Sequence, residues 1–400
     1  MMASPLPHLA TRTQALTRLQ RFLPLAGRDY GARRNFDCPQ HGHPHVSTLS
    51  PYIRHRLITE AEVLEAVLAR HSLMAAEKFV QEVFWRSYWK GWLELRPSVW
   101  HDYRASVDRA LTDPALADRF ARAEGAQTGI DCFDAWMAEL TATGYLHNHA
   151  RMWAASIWIF TLRLPWEAGA DLFLCHLLDG DPASNTLSWR WVAGLQTPGK
   201  HYVATADNIA RYTEGRFSPK GLVTDPAPLS GPSPPPRRAL PTDGVARPGI
   251  ATGIVLTEED LSPGFLFDDS GLSVAAHAGL IAAKGRSPLP ISEGVMRFTR
   301  EAMEDARARW SARLGQGGPL TDDPARIADW ASGLGLGQII APYTPTGPAD
   351  MELERLETLL AAQGIALVRR IRAFDHAAWP HATAGFFRFK DQIPDLIQRL

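Results

Sequence analysis

The stretch Gly144–Trp191, GYLHNHARMWAASIWIFTLRLPWEAGADLFLCHLLDGDPASNTLSWRW, decides how the rest of the chain is read. It holds two long apolar runs, Met152–Leu164 and Ala168–Leu178, broken by polar residues at a few fixed places. Asn148, Arg151 and Met152 stand at i, i+3 and i+4, so one helix face presents all three. Asp179 and Asp181 follow the second run and flank Gly180, a residue suited to the positive φ that ends a helix. The expectation is a pair of buried helices with a basic group and two carboxylates at one mouth. A structural ion pair beside a helix cap accounts for the same spacing, because buried Arg–Asp pairs are common without any ligand.

Working outward, HNHARM followed by DGDPASNTLSWRW resembles the flavin-binding half of the DNA photolyase/cryptochrome family, whose signature is H-N-R-x-R-M and then D-G-D-x-A-x-N-x-x-x-W-x-W. That resemblance implies an FAD cofactor. It implies cofactor contacts from Arg151, Asp179, Gly180 and Asp181, with Asn185 beside the ring nitrogen N5. It also implies that Trp166 and Trp189 are the two inner members of an electron-transfer chain. The third, outer tryptophan has no counterpart near residue 113, and Trp100 or Trp136 would have to replace it.

Upstream, YGARRNFDCPQHGHPHVSTLSPYIRHR reads as a polar loop running into a helix. Hydroxyls and free N–H groups at a helix start suit either a phosphate or an ordinary cap. In the resembled family this segment reads T-S-x-L-S-P-Y and holds the dinucleotide phosphates. The resemblance therefore implies Tyr30, Val46, Ser47, Thr48, Leu49 and Ser50 as cofactor contacts, with Val46 in place of the usual Thr. His41, His43 and His45 match no zinc spacing and read as a solvated loop.

Residues 75–95 carry a strong helical pattern. Glu82 and Arg86, and Trp85 and Trp89, are i, i+4 pairs on it, which a surface ion pair beside a core stripe would explain. The family's E-x-x-W-R implies instead that Glu82 hydrogen-bonds a damaged base, Trp85 stacks on it and Arg86 holds backbone phosphate. Arg34, Asn148, Met152 and Trp191 complete the implied lesion side. Photolyases of the (6-4) type carry His where this chain has Asn148 and Met152, so the cyclobutane dimer is the implied substrate.

Composition bounds these readings. The 400 residues are 45% hydrophobic with formal net charge -1, so any binding of damaged DNA rests on a local basic patch. The 13 tryptophans serve packing, stacking or electron transfer. Cys38, Cys132 and Cys175 lie too far apart for a CxxC zinc site or a four-cysteine cluster, and point to a reducing cytoplasm. No run reaches the length of a membrane span. The expected molecule is a monomer without membrane or metal.

Residues 1–29 read as a helix. Residues 1–225 form the expected all-helical FAD-binding and DNA-lesion domain. Residues 226–248, PAPLSGPSPPPRRALPTDGVARP, read as a semi-stiff linker. Residues 249–400 are expected to be a smaller Rossmann-like α/β domain. Strands are expected at 253–256, 337–341 and 365–368, and helices at 295–314 and 352–363. This half resembles the family's N-terminal antenna domain, which implies a circular permutation and a possible second, folate- or deazaflavin-type chromophore. The alternatives are an unrelated α/β appendage for this half, and a cryptochrome-like receptor or a flavin-free scaffold for the whole.

Overall fold

In the computed structural model the described residues are 8–267 and 272–400. Among these residues twelve helices come first: α1 Arg12–Phe22, α2 Arg28–Arg33, α3 Ser50–Arg54, α4 Glu60–Leu68, α5 Leu73–Glu94, α6 Ser98–Leu111, α7 Ala117–Glu124, α8 Asp131–Thr143, α9 Asn148–Ser156, α10 Trp166–His176, α11 Pro182–Ala193 and α12 Ala206–Tyr212. The helix expected over residues 1–29 is shorter. It runs from Arg12 and breaks into a 3-10 turn at Leu23–Leu25, where Pro24 removes a donor. Residues 1–7 of that expectation lie outside the described residues.

Local chemistry fixes these ends. Thr59 and Glu62 form a reciprocal capping box on α4. Ser72 caps α5, and Gly144 closes α8 at φ 67°. The Met152–Leu164 run does not stay α-helical, because α9 gives way to a π turn at Ile157–Thr161.

The second half is a five-stranded, all-parallel sheet. Its elements are β1 Thr252–Thr257, β2 Val274–Leu280, α13 Glu293–Arg309, α14 Ser311–Leu314, β3 Gln316–Thr321, α15 Pro324–Gly333, β4 Gln338–Pro342, α16 Pro348–Ala362 and β5 Ala366–Arg370. Short helices α17 Ala373–Ala378, α18 Phe386–Lys390 and α19 Ile393–Ile397 follow. The strand order β3-β2-β1-β4-β5 is that of a doubly wound sheet. Leu353, Leu356 and Leu360 of α16 and Ile327 of α15 pack on the sheet in their own apolar cluster. Phe298 and Met303 of α13 instead join the core of the helical half.

That second core is continuous across the chain. It runs from Leu19 and Phe84 through Trp158 to Trp379, Phe386 and Phe389. Trp100, Trp136, Trp153, Trp158 and Trp379 are fully buried, so many of the tryptophans are packing residues. Residues 226–248 contain no helix or strand. They are tied down as a strap: Leu229 N donates to Ala193 O, Arg238 N to Leu95 O and Gly244 N to Arg369 O. Buried polar contacts also join the halves. Arg56 pairs with Asp260 at 3.1 Å and Asp375 at 2.7 Å, and the fully buried Glu94 accepts from Tyr343 Oη at 2.7 Å and Thr346 Oγ1 at 2.6 Å. Among the described residues no helix is long and apolar enough to cross a membrane.

Candidate cofactor and lesion site

The end of α10, the start of α11 and the facing side of α5 build one buried charged cluster. Arg151 projects from α9 and donates from Nη2 to Asp179 Oδ2 at 2.9 Å, while its Nε donates to Leu146 O. Burial opposes the charge on Asp179, but Arg151 outweighs it and holds the carboxyl below its usual range. Asp181 is the N-cap of α11, accepting from Ser184 N at 2.7 Å. Its other oxygen lies 3.5 Å from Lys90 Nζ, 3.6 Å from Arg86 Nη1 and 3.7 Å from Arg54 Nε. Burial again opposes ionisation, and Lys90, Arg54 and Arg86 together pull the group well below the carboxylate range.

The sequence reading missed three members of this cluster: Arg54, Lys90 and Glu259. Glu259 enters from the loop after β1. It takes Arg54 in a bidentate pair, with Nη1–Oε2 at 2.7 Å, and lies 3.5 Å from Lys90. Arg54 Nε also donates to Gly180 O at 3.0 Å. The helix spacing held a usable signal, since Arg86 and Lys90 are i, i+4 on α5 and share a face. Nothing local marked Glu259, which arrives by tertiary folding alone.

Gly180 does not take the expected positive φ, which is found instead at Gly144. Gly180 is small because space is short: a Cβ there would stand 3.0 Å from Leu177 O and 3.2 Å from Arg286 Nη1. Asn185 is buried, with its amide donating to Ala170 O at 2.8 Å.

In the segment upstream of α3, Thr48 adopts φ 50°, rare for a β-branched residue, and its Oγ1 accepts from Arg18 at 2.7 Å. Ser47 Oγ accepts from Leu49 N at 3.3 Å, Val46 N donates to His43 O, and Leu49 is fully buried. Ser50 is the first residue of α3. Tyr30 is buried edge-on against Phe22 and Phe79 and lines a small cavity of about 160 Å³ with Asp29, Arg33 and His45. The HGHPH loop is not wholly solvated as expected. His41 is exposed, but His43 is buried against Asp37 and Glu139, because the loop folds back on α8.

On the implied lesion side, Glu82 pairs with Arg34 and not with Arg86. Burial raises the Glu82 carboxyl above its usual range, with Arg34 partly offsetting it. Trp85 carries a ring stacked on it from the far end of the chain: Phe386, with centroids 3.6 Å apart and planes at 11°. Asn148 is exposed, Met152 is half-buried, and Trp191 stacks on Tyr202 with centroids 5.9 Å apart. Trp189 is buried beside Phe173 and Trp158, at 5.0 and 6.3 Å, and Trp166 lies by Tyr103 at 5.5 Å. Trp158, which the sequence reading did not single out, is therefore the tryptophan neighbour of Trp189.

Comparison with known proteins gives this cluster a context. Residues 79–220 match the family model of the FAD binding domain of DNA photolyase. The chain is similar to the deoxyribodipyrimidine photo-lyase of Streptomyces griseus, at 39% identity over 38% of this chain and 33% of the relative. It is also similar to that of Synechococcus, at 29% identity over 54% of this chain and 50% of the relative. A class III photolyase structure from Agrobacterium tumefaciens aligns at 29% identity and a TM-score of 0.44, covering 50% of this chain and 42% of that one. The chain thus spans between a third and half of the length of these curated relatives.

The residues present suit a flavin dinucleotide in their chemistry. Arg86 Nη1 and Ser184 Oγ are buried polar atoms without a hydrogen-bond partner among the described residues, and they flank the acid pair. Two small cavities, about 160 and 130 Å³, indent the molecule, and neither is lined by Asp179, Asp181 or Asn185. Residues 79–220, which carry the Arg151–Asp179 pair and Asp181, are thus similar to the FAD binding domain of DNA photolyase.

Proposed function

We propose that this chain repairs cyclobutane pyrimidine dimers in DNA, as a deoxyribodipyrimidine photolyase. The observation that carries the reading is the buried set Arg151–Asp179 and Asp181–Lys90–Arg86, which lies within the matched FAD-binding domain. When bound, FAD supplies the light-driven electron that splits a dimer. The protein's part is to bind, orient and exclude water. Asp179 and Asp181, both held ionised by their neighbours, offer acceptors to a donor edge, while Arg86 and Arg151 offer cationic N–H groups. Val46, Ser47, Thr48, Leu49 and Ser50, with Tyr30, are the phosphate side of this reading, and Asn185 the ring side. Gly180 gives the backbone its close approach.

Glu82, Asn148 and Met152 line the lesion side in this reading, with Trp85 and Trp191 as stacking walls and Arg34 and Arg86 near phosphate. A dimer must leave the duplex stack to reach them, and damaged bases leave at reduced cost. Trp166 and Trp189 are proposed electron-transfer residues. Residues 1–225 act as the repair unit, 226–248 as its strap, and 249–400 as an antenna-like unit in permuted order. The last point is supported by the all-parallel β3-β2-β1-β4-β5 sheet. We place the protein in the cytoplasm as a monomer acting on damaged DNA.

One observation favours the receptor reading: Phe386 already occupies a face of Trp85. Illumination separates the two. Purified, flavin-loaded and reduced protein is exposed to blue light with an oligonucleotide bearing one dimer. Repair is expected, and the Glu82→Ala, Asn148→Ala double variant is expected to lose it while staying yellow. A loaded protein that never restores the dimer rejects the enzyme reading.

A further inference from the structure

A second polar cluster lies on the loop ahead of α3, and the repair reading does not use it. His43 is only 7% exposed, and its Nε2 lies 3.0 Å from Glu139 Oε1 on α8. A carboxylate only accepts, so Nε2 carries a proton in this bond, and in the neutral ring Nδ1 keeps its lone pair. Nδ1 faces Asp37 Oδ1 across 3.7 Å, and neither atom has a hydrogen-bond partner among the described residues. Asp37 is itself fully buried. Its other oxygen is fixed by Trp136 Nε1 at 3.1 Å and Arg216 Nη2 at 2.5 Å, so Oδ1 is aimed at His43 by a rigid frame. One ligand atom from each of Asp37, His43 and Glu139 lies within 4.8 Å of the others.

Two buried electron-pair donors that face each other are unfavourable unless a positive charge lies between them. At 3.7 Å the gap is too long for an N–H···O bond. It is, however, spanned by two ligands each ~2.0–2.1 Å from a common ion, the distances usual for zinc with imidazole and carboxylate. A carboxylate on the far nitrogen of a ligating histidine is the arrangement that fixes the tautomer of a metal-bound imidazole. Cys38 Sγ is turned to Glu214 Oε2 at 3.8 Å.

We propose that His43 Nδ1 and Asp37 Oδ1 bind a divalent ion of the zinc class, with Glu139 orienting the imidazole and water completing the shell. The site joins the loop before Val46–Ser50 to α8. His43 also stacks at 5.6 Å and 16° on His147, which precedes α9 as its cap, so the ion stiffens the approach to both segments.

The test uses the full chain stripped with chelator and titrated with zinc chloride by calorimetry, with melting temperature and the cobalt(II) absorption spectrum as independent readouts. One zinc per chain is expected, with a higher melting temperature and a cobalt spectrum of low coordination number. Asp37→Asn and His43→Gln are each expected to weaken binding at least tenfold. Glu139→Gln, which keeps an acceptor for Nε2–H, is expected to weaken it less and guards against a result due to misfolding. Absence of saturable binding overturns the proposal, as does equal affinity in folded His43→Gln. So does an NMR titration showing His43 doubly protonated between its two carboxylates and indifferent to zinc.

Discussion

If Trp85 is the surface on which a damaged base stacks, Phe386 must leave before the base arrives. The two rings are parallel at 3.6 Å, Phe386 is buried, and Tyr88 and Phe389 hold it from the sides. Truncation to alanine would remove a core ring at a cost of about 3–5 kcal/mol, enough to confuse binding with unfolding. Phe386→Leu is the better perturbation. It roughly keeps the volume, for a loss of under about 1.5 kcal/mol, and removes the stack. An aromatic pair contributes about 0.5–1.5 kcal/mol beyond its buried area. A competing base no longer has to displace that contact, so dimer affinity should rise about 2- to 12-fold. The assay is fluorescence anisotropy on a single-stranded oligonucleotide bearing one dimer, with urea melts to verify the fold. Trp85→Leu serves as the opposite control and should lose about 1–3 kcal/mol of binding. A folded Phe386→Leu protein that binds dimer DNA no better than its parent would refute the reasoning. Trp85 would then be a packing residue, and the lesion role assigned to it would fall.

Three further outcomes are expected. Burial raises the Asp171 carboxyl to about 6 despite a bond from Ser287, so the folded state holds this proton more tightly than the unfolded chain. Stability should therefore fall by about 3 kcal/mol as pH rises from about 4 to 6, and Asp171→Asn should flatten that slope in urea melts. Glu259→Ala leaves Arg54 buried with Asp181 as its remaining carboxylate partner and should cost about 3–5 kcal/mol in denaturant unfolding; a change below about 1 kcal/mol, on the order of an exposed pair, would show the cluster to be solvated. Gly169→Ala puts a Cβ 2.4 Å from Trp189 Cη2 and should destabilise by about 1–3 kcal/mol, with a shift in tryptophan emission.

Legibility in the sequence followed the range of the interactions. The long helix α5, the Arg151–Asp179 pair and strands β1, β4 and β5 were readable, because each rests on periodicity or on a motif with a fixed offset. Strands β2 and β3 were not. VAAHAGL is poor in the large β-branched residues that mark a strand, and QGGPLT carries two glycines and a proline that only a sheet edge tolerates. The site divides along the same line. Asp179 and Asp181 could be named from spacing, but what each touches could not. Asp181 is set by Lys90 from α5, by Arg54 from α3 and, through Arg54, by Glu259 from beyond the Pro-rich strap. Phe386 reaches Trp85 across some 300 residues for the same reason. These long-range contacts share one consequence. Each fills or neutralises a position that the motif alone would leave open to a ligand, so the second half of the chain contributes to the site as well as packing beside it. Removing residues 249–400 would then change the charge balance at Asp181 and bare a face of Trp85 together, effects that an independent appended domain would not produce.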